Sequence, residues 1–384
     1  MMRLLRLDRL QIRGFRNIEE IVYEPGPGLN VFVGNNGQGK TNLLEAVYYL
    51  STASSQRAYR EEELINWHRE EASLEGEVAY SQTSIRIRMS LVRGRRKQIW
   101  VGAKRLSSAF DVFGRLSAVL FSPDDLNLVK GSPAGRRRYL DLQLSLVNKY
   151  YRHQLQKYNK VLAQRNLALK HGQLEQLELW DHQLVVIGTE IMQRRMEAVE
   201  QISRLAGAAQ LSIAADEKLE IVYLPFFLRD QREYMIAHGA GKVPYTKDRI
   251  QGIFMNQLRE KQWEERRQKS SLVGPQRDDL IFVLNGKDAR VYASQGQQRT
   301  AVLASKLAEL DYVAQARGER PLLLLDDVLS ELDQQRCERF LTYISQDTQI
   351  FLTTTDLGTI DRTSLQGARV SHIRQGRLEQ VEKL

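Results

Sequence analysis

The sequence predicts an α/β protein in which the two ends of the chain build one parallel-sheet domain around a mainly helical insertion. Three observations carry this. Leu29-Asn30-Val31-Phe32-Val33 is a short apolar strand that enters a glycine-rich turn and then a helix through Leu43, Leu44, Ala46, Val47 and Leu50. Pro321 to Asp326, near the other end of the chain, is an apolar run closed by an acid, the pattern of a strand buried on both faces of a parallel sheet. Between them, residues 136–208 place apolar side chains at alternating steps of three and four, which is helical spacing.

The glycine-rich turn, Gly34-Asn35-Asn36-Gly37-Gln38-Gly39-Lys40-Thr41, fits G-x-x-x-x-G-K-[ST] at every fixed position. Glycines let successive N–H groups turn inward onto phosphate oxygens, and the helix that follows, from Asn42 on, offers its unpaired N–H groups to the same anion. Lys40 can then reach the β- and γ-phosphates and the Thr41 hydroxyl can hold Mg²⁺, so ATP and Mg²⁺ are the expected ligands.

Bulk composition narrows the class. The chain has 384 residues, 42% hydrophobic and 27% charged, enough for two or three domains with real cores. No window approaches the roughly 18 apolar residues of a membrane span, and Arg3 and Arg6 interrupt any signal-peptide core. Cys337 is the only cysteine, so a reducing, cytoplasmic setting is expected. A net charge of +9 favours a polyanionic partner. The six histidines are scattered, which argues against a histidine-based metal site.

Taken in order, residues 3–24 read as two strands about a turn, and Pro25-Gly26-Pro27-Gly28 leads into the phosphate-loop strand. Glu61 to Trp67 reads as a short helix, and 72–100 as an antiparallel meander. Residues 136–208 form two helices joined at His171-Gly172, the first about 50 Å long at 1.5 Å per residue; the hairpin either packs on the domain or projects as an arm. Glu220 to Leu224 is a strand, and Tyr245 to Ser270 a charged helix anchored by Ile250, Ile253, Phe254, Leu258 and Trp263. Asn285-Gly286 turns a hairpin between 280–284 and 287–292. A helix follows from Gln297, then the acidic strand, and Gln349 to Thr353 is that strand's neighbour.

Asp326 would end its strand at the carboxyl edge of the sheet, where ligands of open α/β sheets bind, and such an acid holds Mg²⁺. Asp327 is next in line to position or activate the attacking water. Ser294-Gln295-Gly296-Gln297-Gln298-Arg299 resembles the signature loop of ABC-type ATPases, with Gln295 where glycine is usual, and Ser330-Glu331-Leu332-Asp333 resembles their D-loop. The expected layout is therefore an ABC-type head from 1–122 and 271–384, with an inserted helical arm at 123–270.

With Gly14-Phe15-Arg16-Asn17, Ser55-Gln56-Arg57, Phe121-Ser122-Pro123-Asp124-Asp125-Leu126, Arg136-Arg137-Arg138, Gly274-Pro275-Gln276-Arg277-Asp278-Asp279-Leu280 and Leu325 to Asp333, the chain resembles the RecF family, in the SMC and Rad50 branch of ABC ATPases, over nearly its whole length. The resemblance implies a weak, DNA-stimulated ATPase that dimerises on ATP. It implies binding to gapped DNA and single-strand/duplex junctions, and work with RecR and RecO in loading RecA during repair, replication restart and the SOS response. It also implies that Arg16 and Asn17 lie beside the nucleotide, that Ser294, Gly296 and Gln297 reach the nucleotide of a partner copy, and that Arg57 occupies an arginine-loop position and contacts DNA. Asp327 stands where glutamate is usual, which implies slow hydrolysis, and Thr353-Thr354-Thr355 replaces the switch histidine. Gln56, Gln143 and the Pro123-Asp124 turn compete for the Q-loop role. For DNA, the densest basic run is Arg93, Arg95, Arg96, Lys97, Lys104 and Arg105, around Trp100; Arg136-Arg137-Arg138 is a second cluster. An ABC transporter subunit and a non-hydrolysing nucleotide-gated scaffold are the alternatives.

Overall fold

The computed structural model describes residues 5–80, 83–238, 245–329, 332–344, 348–359 and 365–383. The chain divides into two compact units, Met1–Asp125 with Glu309–Leu384, and Leu126–Ala308. The first unit opens with β1 (Arg6–Phe15), β2 (Ile18–Tyr23), β3 (Leu29–Val33) and α1 (Lys40–Thr52). It continues with β4 (Glu71–Tyr80), β5 (Thr83–Val92), β6 (Gln98–Val101), β7 (Lys104–Arg105) and β8 (Ala118–Phe121). The second unit holds α2 (Asn127–Lys130), α3 (Pro133–Val147), α4 (Lys149–His171), α5 (Leu177–Ile213), β9 (Leu219–Leu224), α6 (Arg232–His238) and α7 (Lys247–Gln268). It ends with β10 (Asp279–Leu284), β11 (Lys287–Asp288), α8 (Ala289–Tyr292) and most of α9 (Gln295–Arg317). The first unit resumes with β12 (Leu322–Asp326), α10 (Gln334–Ile344), β13 (Ile350–Thr354), β14 (Arg369–Arg374) and β15 (Arg377–Lys383).

In the first unit two six-stranded sheets enclose α1. One has the order β15-β14-β3-β13-β12-β8, with every pair parallel except β14–β15. The other, β2-β1-β4-β5-β6-β7, is antiparallel throughout. α1 touches β8 and β12 on one side and β1 and β4 on the other, and Leu43, Leu44, Ala46, Val47 and Leu50 are all fully buried. The four leucines of β12 are likewise fully buried, as expected for a strand covered on both faces.

A polar pin sits at the base of the phosphate-loop strand. Asn30 is buried in β3, accepting from the Gly26 N–H (2.6 Å) and Tyr23 hydroxyl (3.0 Å) and donating to the carbonyls of Gly26, Gly28 and Ile350. It fixes the Pro-Gly turn against β13. Gln349 ties the two sheets together by bonding the Leu7 N–H and carbonyl at 2.8 and 3.0 Å.

In the second unit β9, β10 and β11 form a three-stranded antiparallel sheet beside α5. The expected boundary at 270/271 therefore differs from the division inside α9, because β10 pairs with β9 along six registered positions and stays with the helices. The expected long first helix is two. Asn148 leaves the helical region (φ −128°, ψ 101°), and its side chain accepts from the Tyr151 N–H to start α4 afresh. The returning strand at 287–292 is only two residues long, because Asp288 caps the Arg290 N–H (3.0 Å) and begins α8. Trp263, expected as an anchor, is exposed and lies under the Arg267 guanidinium.

The motif Gly274 to Leu280 is the centre of this unit's buried charge. Gly274 has φ 124°, and a side chain there would run into the Tyr158 hydroxyl. Asp278 is fully buried and accepts from the Arg195 guanidinium (2.9 Å), the Phe226 N–H (2.9 Å) and the Tyr223 hydroxyl. Burial pushes its carboxyl up to about 6, against the pull of Arg195. Asp279 receives both forks of Arg136, at 2.6 and 3.0 Å. Arg136 is 1% exposed and the half-buried Arg137 donates to the Asp278 carbonyl, so of the expected second basic cluster only Arg138 is exposed.

Candidate nucleotide site

The site lies at the carboxyl ends of β3, β13 and β12, three adjacent parallel strands. Topology explains why residues from both chain ends meet there: β13 runs between the phosphate-loop strand and the acidic strand, and sets Thr353 in register with both Phe32 and Asp326. The Thr353 hydroxyl donates to Asp326 Oδ1 at 2.8 Å and accepts the Asp327 N–H at 3.0 Å. On the other side the Thr41 hydroxyl donates to the same Oδ1 at 2.9 Å. Burial raises the proton affinity of Asp326, opposed by these two hydroxyls and by Arg57.

The loop is open to an anion. Gly39, at φ 108°, is the residue before α1, and a Cβ there would stand 2.8 Å from Asn17 Oδ1. Lys40 folds back so that Nζ donates to the Gly34 (2.6 Å) and Asn35 (3.0 Å) carbonyls. Burial lowers its proton affinity, while Asp327 and then Asp326 raise it, so the ammonium faces both acids. Asp327 takes a left-handed φ of 51°, a conformation that costs an L-residue about 1 kcal/mol. Its N–H bond to Thr353 holds it there.

Neighbouring elements brace the loop. Asn17 donates to the Gly37 carbonyl (3.4 Å) and accepts from Asn42 (2.9 Å). The β14–β15 turn locks Gln38, whose side-chain oxygen accepts the Gln375 N–H (2.6 Å) and whose carbonyl accepts the Gly376 N–H (2.8 Å). Asn17 thus adjoins the phosphate loop. Arg16 does not aim at the loop: both its forks bind the buried Glu45 of α1, at 2.9 and 3.0 Å. Arg57 donates to Asn42 (3.2 Å) and lies 3.7 Å from Glu45. With Thr41, Glu45, Tyr48, Gln56, Ser122 and Asp326 it lines a small cleft. Arg57 therefore lines the cleft and is at the same time exposed to solvent. Of the three Q-loop candidates Gln56 lines the cleft, the Pro123 turn adjoins it through Ser122, and Gln143 is buried in the second unit.

Three expectations change in the structure. The Thr353 hydroxyl is engaged with the acid pair and Thr354 with the Asp356 carbonyl (2.8 Å), so their neighbours are protein groups. Lys97 is not on an outer face: its ammonium meets Glu61 and the Ala53 carbonyl (2.7 Å), over the Tyr49 ring. Arg93 is held against the Arg69 carbonyl (3.2 Å). Arg95 and Arg96, in the β5–β6 turn, and Lys104 and Arg105, in β7, are exposed.

Ser294, Gly296 and Gln297 belong to the second unit. There Ser294 Oγ accepts the Gln297 N–H (3.2 Å) and Gln297 Oε1 accepts the Ser294 N–H (2.9 Å), a reciprocal cap that starts α9. Of the D-loop, Ser330 and Glu331 lie outside the described residues; Asp333 caps the Arg336 N–H at 2.9 Å. Sequence reasoning missed Glu45. Its only signal is an acid inside the apolar run of α1, at a position turned away from water.

The chain is similar to known proteins over nearly its whole length. The family model described as the RecF/RecN/SMC N-terminal domain matches residues 6–378. A DNA replication and repair protein RecF from Symbiobacterium thermophilum is 42% identical over 91% of this chain and 92% of its own length. One from Halothermothrix orenii is 38% identical over 98% and 100%. A solved structure of the recombination mediator protein RecF with ATP, in the RecFOR pathway, superposes with a TM-score of 0.87 at 32% identity, covering 100% of this chain and 99% of that one. The Smc head of Pyrococcus furiosus, at TM-score 0.56 and 15% identity, shares the fold.

Proposed function

Since the chain belongs to the RecF/RecN/SMC family and to its RecF type, we propose that it is an ATP-switched recombination mediator acting on DNA in the cytoplasm. The observation that carries the site reading is the 2.9 Å bond between Thr41 and Asp326, which joins the phosphate loop to the acidic strand at one sheet edge. Lys40 would exchange its two loop carbonyls for β- and γ-phosphate oxygens, and the loop N–H groups from Asn35 to Thr41 would complete the cradle. Thr41 and Asp326 would hold Mg²⁺, which supplies charge neutralisation at the phosphates. Asp327 is the acid placed to orient water. It is one methylene shorter than glutamate, and its left-handed backbone sets its reach, which fits slow turnover. Thr353 positions both acids.

Ser294, Gly296 and Gln297 would close on the γ-phosphate held by a second copy, so that ATP makes the dimer through contacts present in the dimer alone. Gapped duplex and single-strand/duplex junctions are the DNA substrates of this reading, with RecR and RecO as partners and RecA loading as the outcome. Arg95, Arg96, Lys104 and Arg105 are the exposed DNA contacts on the first unit. Turnover is weak and DNA-stimulated.

The test mixes two variants. Lys40→Arg replaces a compact ammonium with a planar fork that does not fit the loop; Ser294→Arg blocks closure while leaving ATP binding in each monomer. Each alone is expected to lose hydrolysis and ATP-dependent dimer formation in sedimentation. Mixed, they form one site with both defects and one with neither, and activity returns. A Ser294→Arg protein that hydrolyses normally as a monomer overturns the shared site, and normal turnover in Lys40→Arg overturns the loop assignment.

A further inference from the structure

Helix α4 carries charge of one sign only. Its 23 residues, from Lys149 to His171, contain no Asp or Glu. Two of its arginines are internal: Arg152 donates to the Ser145 carbonyl (3.2 Å), and Arg165 is clamped by Asp181 (2.5 Å) and Glu265 (2.7 Å). The other cations face water. Lys149, His153, Lys157, Lys160, Gln164, Leu167 and His171 are all exposed. At 100° per residue they fall within one narrow arc, so they form one continuous face.

This face is left uncompensated. Lys149, Lys157, Lys160 and Lys170 make no ion pair among the described residues, whereas in α5 Arg194 pairs with Glu190 (3.1 Å) and Arg195 with Asp141 (2.8 Å). Lys149 also stands in the first turn of α4, where the helix dipole disfavours a cation, and no acid shares that turn. Lys157 and Lys160 repel at i, i+3. A helix needing only solubility would interleave acids, as α7 does with Lys261 and Glu264 (2.9 Å).

We propose that the outer face of α4 is a second nucleic-acid contact, a track for the phosphate backbone of duplex DNA. The inference rests on the DNA-binding reading above and places a contact on the second unit, which that reading leaves without one. Charge favours this occupant. From Lys149 to Lys160 the face runs about 16 Å, a distance over which a duplex carries about ten phosphate charges. Single strands are disfavoured, because the stripe holds no Phe, Tyr or Trp for base stacking; the adjacent Tyr150 ring lies under Arg194, 4.8 Å away. Recognition here is of charge and form, independent of sequence.

The experiment compares the full-length protein with Lys149→Ala/Lys157→Ala/Lys160→Ala, using fluorescence anisotropy of a blunt duplex across a salt series. Alanine is a strong helix former and relieves the repulsion, so the variant keeps its helicity by circular dichroism. Expected is weaker binding, equal on unrelated sequences, with a log K against log salt slope shallower by about 2.7. ATP binding is unchanged. Arg95→Ala/Arg96→Ala lowers the slope separately. If the α4 variant binds with unaltered affinity and slope while Arg95→Ala/Arg96→Ala does not, the α4 track is overturned and the face serves solvent or an acidic protein. If the unsubstituted protein fails to bind DNA, the functional reading above falls, and the track with it.

Discussion

Two Asp-Asp pairs flank apolar strands, Asp278-Asp279 at the start of β10 and Asp326-Asp327 at the end of β12, yet their surroundings make opposite use of them. In the second unit each carboxylate meets a guanidinium: Arg195 on Asp278 at 2.9 Å, and Arg136 on Asp279 through both forks. Both carboxylates are enclosed by donors of the same unit, which commits them to holding the fold. In the first unit the neighbours of Asp326 are two hydroxyls, with the Lys40 ammonium held by loop carbonyls rather than by the acids. Hydroxyls and a lysine can exchange partners; paired arginines hold. The first arrangement keeps a carboxylate available to a cation and the second uses it to fix a fold.

Removing the cation from each pair separates the two uses. Arg195→Met leaves Asp278 buried with its charge unmatched and also strips Asp141, and breaking a buried pair in this way costs about 3–5 kcal/mol. Its denaturation midpoint is expected to drop steeply. Lys40→Met should leave that midpoint nearly unchanged, because Lys40 is a desolvated ammonium bonded only to exchangeable carbonyls. Its hydrolysis should fall by about 100-fold or more. If both variants lose stability equally, the distinction between a holding pair and an available pair is wrong.

The second test is pH. Burial raises both Asp278 and Asp326, but the consequences differ in sign. Folded Asp278 titrates at about 6 against 3.8 for the ordinary carboxyl, so between those values the native state binds a proton that the unfolded chain does not. Its contribution to stability therefore falls as pH rises from about 4 to about 6 and is level above. Asp278→Asn should gain stability relative to the unsubstituted chain over that window, measured by urea midpoints. Asp326 must be ionised to hold Mg²⁺, so Mg²⁺-dependent ATP binding should weaken as pH falls, starting above the usual carboxylate range. A shared direction for the two curves would contradict the assignment.

The legible parts of this chain are those where local sequence and the fold agree. The phosphate loop, β12 and the Leu43–Leu50 face of α1 are readable because glycine geometry and burial on both faces act over a few residues. The break at Asn148 was not, since the apolar spacing runs through it and only a side-chain cap interrupts the helix. Charge was the least legible property. Arg136 and Lys97 belong to basic runs that suggest a surface, but Asp279 and Glu61 draw them in, and those partners lie at positions no periodicity connects. Thr353 was read for what it lacks, a histidine; its position in β13 makes it part of the acid pair.

The smallest expected effect follows from that last point. Thr353 is 1% exposed; its hydroxyl faces the Leu325 carbonyl at 3.4 Å, and it bonds the acid pair in opposite roles, donating to Asp326 Oδ1 and accepting the Asp327 N–H. Thr353→Val keeps the β-branched shape that suits a central strand, so the change is in hydrogen bonding more than in volume. Without the donor, Asp326 retains only the Thr41 hydroxyl, and its proton affinity rises further. Without the acceptor, the left-handed Asp327 loses the bond that holds its backbone. Together the two losses reduce hydrolysis by about 30-fold, since each bond is worth about 1 kcal/mol. The two contributions can be told apart. If Asp326 dominates, raising the pH or the Mg²⁺ concentration restores most of the rate in Thr353→Val. If Asp327 dominates, neither helps, and Thr353→Ser, which keeps the hydroxyl, recovers the rate at every pH. A Thr353→Val protein with full activity would mean that β13 only separates the loop from the acidic strand, and that the acids are positioned by β12 alone.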